Sequence, residues 1–219
     1  MKFYMKHWYY ISGVLFVLCS FGMMIFGRHI PVFQTILILN FMMTLLHEFE
    51  EYGLPGGFPA VMNMAFMGER ADANHYPLDK RTSFINNVWM VSIVYLLAAC
   101  FPTWYWLGIL TISIGMIQVI VHGVVANIKL HTLVSPGTIT AVFGHLPIGV
   151  AYFMYIANHN LSIAAWNWWA GILLIPFGAF LLIMAPILLL RNRKSPYTWS
   201  AEEINHFHVA NRLKEQHKL

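Results

Sequence analysis

The chain has 219 residues, of which 58% are hydrophobic and 10% are charged, against about 25% charged in an ordinary soluble domain. That composition excludes a soluble globular domain, a disordered segment and a disulfide scaffold. The net charge is +4, but the bases lie between and beyond apolar runs and form no patch with interleaved aromatics, so no nucleic-acid partner is expected.

From Thr82 to Leu190 the only Lys, Arg, Asp or Glu is Lys129. A helix needs about 20 mostly apolar residues to cross the hydrocarbon core, and six stretches qualify: 8–27, 31–51, 83–100, 103–130, 138–158 and 166–190. Trp104, Trp106, Trp166, Trp168 and Trp169 gather at span ends, as an aromatic belt does. The first span lacks a small-residue cleavage site after Phe26-Gly27-Arg28-His29 and reads as retained. An even number of spans puts both termini on one side. With the N-terminus inside, twelve Lys and Arg fall on the inner side and only Arg28 outside, which predicts cytoplasmic termini. The short loops point to a bacterial cytoplasmic membrane. The expected fold is an all-α integral membrane protein: a transmembrane domain over 1–190 and a basic cytoplasmic tail over 191–219.

The longest loop follows the second span. Leu54-Pro55-Gly56-Gly57-Phe58-Pro59 breaks any regular helix, and the apolar run after it predicts a short re-entrant or interfacial helix near 58–67. In the tail, Ser200-Ala201-Glu202-Glu203 is a capping-box pattern. Ile204, Phe207 and Leu213 give the helix it opens an apolar stripe, expected to lie against the membrane.

The chemistry concentrates at the end of the second span, in His47-Glu48-Phe49-Glu50-Glu51. His47, Glu50 and Glu51 share a helix face at i, i+3 and i+4. Three carboxylates in one turn repel, and a helix C-terminus disfavours anions, so a cation, protons or open water must compensate them. The bland alternative is a solvated helix end whose acids pair with Arg70, Lys80 and Arg81. The sharper reading takes His47 and Glu51, at i, i+4, as two ligands for one divalent ion.

The fourth span carries Gln118, His122, Asn127 and His131. His131 lies at the depth of His47 and is the preferred ligand from this span. His122 is about 13 Å away from it along an ideal helix and on the other face, so both cannot serve one ion unless the helix breaks, with Gly123 the candidate break. His145 on the fifth span is either a hydrogen-bonded packing residue or a further ligand. Asn86 and Asn87, near the start of the third span, fall at the same depth. Four spans thus present polar groups on one side.

These residues resemble the family of integral membrane proteins named for its HxxEE motif, whose biochemical activity is not established. His47, Glu50 and Glu51 match the motif; Asn127 and His131 are similar to its N-x-x-x-H element, and Ser135-Pro136-Gly137 with Thr140 to the Pro-Gly turn that follows. The resemblance covers roughly residues 40–150 and singles out His47, Glu50, Glu51, Asn127 and His131.

The sequence therefore predicts a metal-dependent membrane enzyme, a hydrolase acting on a lipid or small amphipathic substrate, with membrane lipids as its surroundings. His47, Glu51 and His131 would hold the ion, with His145 or His122 as a further ligand. Zinc is the first choice of metal, with iron or manganese as alternatives. Glu50 would be the general base and Asn127 a ligand-orienting or oxyanion-binding group. Two other readings use the same cluster: a proton- or metal-coupled carrier, and a non-catalytic assembly protein.

Overall fold

The computed structural model describes residues 2–216. Among these the protein is helical without strands, and six helices are long and apolar enough to cross a membrane. It is an integral membrane protein. The membrane-length helices are α1 (Lys2–Phe26), α2 (Val32–Tyr52), α4 (Lys80–Cys100), α5 (Tyr105–Leu130), α6 (Thr138–Asn158) and α7 (Ala165–Leu190). The predicted short helix is present as α3, residues 58–66. The tail holds α8 (Ala201–Ile204) and α9 (Val209–Glu215).

Local signals set the ends. Pro31 precedes α2, and Gly57 in a left-handed conformation precedes α3. The Asp79 carboxylate accepts from the Thr82 N–H and caps α4, which starts the third span three residues before its apolar part; Lys80 and Arg81 occupy that first turn. At α5 the final turn closes on left-handed His131, and α6 opens after left-handed Gly137.

Helix α2 is central, packed against α1, α4, α5 and α6. Along their first halves α5 and α7 pack closely: Gly171 seats on Ile109, and Gly178 on Leu110 and Ile114. Beyond Gly178 the two helices part, and a cavity lies between them.

At the end of the bundle that carries both described termini, Trp8, Tyr52, Phe58, Val61, Leu130, Trp199, Val209 and Leu213 form one apolar cluster. The tail belongs to it. Trp199 Nε1 donates to the Leu78 carbonyl, and the Lys80 ammonium meets Glu203 at 2.7 Å. The Ser200–Glu203 capping box is formed. The expected membrane-surface helix is instead folded onto α3 and the end of α5, because Val209, Ala210 and Leu213 make a small buried stripe.

One backbone feature recurs. Residues 61–66 of α3, 85–92 of α4, 121–126 of α5, 141–145 of α6 and 180–184 of α7 form wide i→i+5 turns. Such turns insert a residue into the helix and re-aim its side chains, and they concentrate at functional sites. All five contribute to one cavity.

Candidate metal centre

The acids of α2 are buried: Glu48, Glu50 and Glu51 are each 5% exposed or less, so the solvated-helix reading does not hold. Nor do the neighbouring bases pair with them. Lys80 meets Glu203, Arg81 donates to the Leu190 carbonyl, and no Lys or Arg pairs with the three carboxylates among the described residues. A buried carboxylate without compensation costs several kcal/mol, and each of the three meets that cost differently.

Glu48 accepts from the hydroxyls of Ser12 at 2.8 Å and Ser92 at 2.7 Å. Glu50 sits across the N-terminus of α6, where its oxygens accept from the Ile139 N–H at 2.9 Å, the Thr140 N–H at 2.8 Å and the Thr140 hydroxyl. Helix amides and the helix dipole favour an anion there. Among the described residues, Glu51 has neither hydroxyls nor amides as partners. Its Oε1 faces His122 Nε2 at 3.2 Å and His47 Nε2 at 3.8 Å.

The hydrogen-bond network fixes how those imidazoles are protonated. The Thr140 hydroxyl gives its only proton to Glu50, so at 2.7 Å it accepts from His47 Nδ1. His122 Nδ1 donates to the Pro136 carbonyl at 2.7 Å. Both neutral rings therefore turn a bare Nε2 lone pair toward Glu51, and His47 Nε2 is buried without a hydrogen-bond partner among the described residues. Two lone pairs facing a carboxylate repel unless something positive stands between them. Ligand atoms around one tetrahedral zinc stand about 3.4 Å apart. The nitrogens of His47 and His122 and the Glu51 oxygen all lie within 4.8 Å of one another, so a small closure brings them onto one ion. Each imidazole also has the outer partner that metal-binding histidines carry, a carbonyl for His122 and a hydroxyl–carboxylate pair for His47. The residues present fit a divalent cation.

Local backbone brings His122 into the group. The wide turn over 121–126 contains Gly123 and departs from ideal phasing. Gly137, at φ +91, lies against the ring, where a Cβ would approach His122 Nδ1 to 2.5 Å. His131, the ligand preferred from spacing, is not in the group: it forms the exposed left-handed end of α5. Asn127 donates to the carbonyls of Gly123 and Leu133 and so ties the end of α5 to its loop. His145 lies beside the group, its ring 5.5 Å from that of His47, with Nδ1 against Asn40 Oδ1 at 3.3 Å.

Asn40 received no role from the sequence, and Thr140 entered it only as part of the Pro-Gly turn of the resemblance. Asn40, Thr44, His47 and Glu51 recur at i, i+4, i+7 and i+11, and that polar stripe is legible in α2. Nothing local marked Thr140 as the link between Glu50 and His47.

The group opens on a cavity of about 420 Å³. Thr44, His47, Glu48 and Glu51 line it from α2, Asn86, Asn87 and Tyr95 from α4, and Pro176, Phe180 and Ile187 from α7.

A family described as a protein of unknown function with HXXEE motif matches residues 38–152. The chain belongs to this family. The matched segment holds the whole His47–Glu51–His122 group together with Glu50, Thr140 and His145, whereas the α7 wall of the cavity lies outside it. No curated protein and no solved structure matches the chain.

Proposed function

We propose that this HXXEE protein is a metal-dependent membrane enzyme, a hydrolase of an ester or amide in an amphipathic substrate, whose His47, Glu51 and His122 hold one divalent ion. The bare Nε2 atoms of His47 and His122 directed at Glu51, which lacks any other donor among the described residues, carry this reading. Two nitrogens and one carboxylate, with a cavity beside them, suit a catalytic zinc site with an open position; iron or manganese suits the same donors. The twelve-to-one distribution of bases supports a cytoplasmic side for the centre.

A bound ion lowers the pKa of a water molecule toward 7 and polarises a carbonyl. Glu50, with its oxygens held by α6, positions His47 through Thr140 and is not the base. Asn127 holds the α5 end that carries His122. His145 gives its Nδ1 to Asn40 and keeps Nε2 to take a proton from the attacking water and return it to the leaving group.

Metal analysis of the detergent-purified protein tests this reading. One equivalent of metal is expected in the wild type and in His131→Ala, and none in His47→Ala or His122→Ala. Absence of stoichiometric metal from the wild type, or its persistence in both of the latter variants, overturns it.

A further inference from the structure

Toward the end of the bundle that carries both described termini, the cavity is bounded by α3. Phe58, Met62 and Phe66 of α3 form a floor beneath it; Phe58 packs on His122 with ring centroids 5.4 Å apart, and the buried Val209, Ala210 and Leu213 back that floor from outside. Toward the bilayer it is different. Past Gly178, α5 and α7 no longer touch closely, and their cavity-lining residues Gln118, Val121, Ile183 and Met184 are only half-buried, with Phe180 48% exposed. Those residues occupy the halves of α5 and α7 nearest the metal group, so the gap spans one leaflet.

The lining also constrains what enters. It is mostly apolar and, among the described residues, contains no Lys or Arg. Its polar groups away from the metal residues include the neutral amides of Asn86 and Gln118. Asn86 is buried, and its Oδ1 has no partner among the described residues. An unpartnered buried amide oxygen is unfavourable unless a ligand or water satisfies it. A volume of about 420 Å³ holds on the order of a dozen water-sized groups, which accommodates a polar head and the start of one chain but not a diacyl lipid.

We propose that the gap between α5 and α7 is a lateral entrance through which a single-chain amphiphile with an uncharged hydrogen-bonding head reaches the centre from the bilayer, its head read by Asn86 and its chain trailing between Gln118 and Phe180. This rests on reading the cavity as the substrate cavity of the proposed enzyme.

The test uses the full chain in phosphatidylethanolamine–phosphatidylglycerol nanodiscs, with a monoacylglycerol carrying a diazirine beside its ester as probe. After illumination, label is expected on Ile114 and Met62, buried residues that bulk lipid does not touch, as well as on Phe180. Ala179→Trp, or Val121→Trp should the first fail to fold, narrows the entrance and should remove the inner label while that on outward-facing Phe177 persists. Asn86→Leu should lower inner labelling several-fold. A probe of equal chain with a phosphate head should label the inner wall less than the monoacylglycerol. No inner labelling of the wild type, inner labelling unchanged in a folded entrance variant, or stronger labelling by the phosphate probe each overturns the proposal. Metal analysis of the same wild-type preparation separates the two readings: inner labelling of a wild type that holds no stoichiometric metal retains the entrance and removes the metal enzyme.

Discussion

Two acidic clusters in this protein have opposite solutions. Glu69 and Asp72, in the loop between α3 and α4, meet one guanidinium: Arg193 donates 2.7 Å hydrogen bonds to each and lies over the Tyr76 ring. Slight burial acts to raise Glu69, but the backbone N–H groups of Asp72 and Arg70 and the Arg193 side chain outweigh it and hold the carboxyl below its ordinary value. The cluster is complete in itself. Glu51, buried inside the bundle, faces among the described residues only imidazole nitrogens whose lone pairs point back at it. An acid that needs only stability is given an arginine; this one is left with the partners a metal requires.

Substitutions that break this contrast should differ in size. Glu51→Gln has the largest expected effect, loss of stoichiometric metal, because it removes the charge on which the donors converge. Thr140→Val and Glu50→Gln keep the donors and loosen only the orientation of His47, so metal affinity, measured by competition with a chelator, should fall on the order of 10–100-fold. Gly137→Ala forces a side chain onto His122 and should lower metal affinity with little change in helix content by circular dichroism. Arg193→Ala should leave metal content unchanged while the 69–75 loop becomes more accessible to protease. Ser200→Ala removes a cap and should cost about 1 kcal/mol of local tail stability, read as faster hydrogen exchange over 200–215.

The smallest effect is a pH dependence in the tail. Partial burial acts to raise Glu203, and Lys80 with the Ser200 backbone and hydroxyl outweigh it, so its carboxyl is held below the ordinary value. A carboxyl depressed by folding stabilises above the unfolded value, about 4.3, and that contribution disappears as pH falls through the folded value. Tail protection should therefore be flat at neutral pH and weaken only below about pH 4. Loss of protection on raising the pH from 5 to 8 would contradict the Lys80–Glu203 pairing as its source.

The fold was legible because hydropathy is a property of whole segments: five of the six helices begin and end within about three residues of their apolar runs, α1 starts six residues before its run, at Lys2 rather than Trp8, and the short helix near 58–67 appears as α3. His47 and Glu51 were legible for a related reason, since α2 is a regular helix there and i, i+4 spacing holds. His122 was underrated because that arithmetic assumes 3.6 residues per turn, and α5 is wound differently over 121–126. His131, at matching depth, instead ends its helix and points out. The α7 wall carried no sign of its place, because Phe180 and Ile183 are as apolar as any lipid-facing pair and only packing distinguishes them. The tail was half legible: its stripe of Ile204, Phe207 and Leu213 predicted an apolar contact, expected to be the membrane, whereas buried Val209, Ala210 and Leu213 turn it onto α3 and the end of α5.

The central claim is that one ion joins His47, Glu51 and His122. A crystal structure of the purified protein with zinc, recorded on both sides of the zinc absorption edge, tests it most directly. A single strong anomalous peak is expected about 2.0–2.2 Å from His47 Nε2, His122 Nε2 and a Glu51 oxygen. A peak at His131 or the tail histidines, or none between the three residues at full zinc loading, would contradict it.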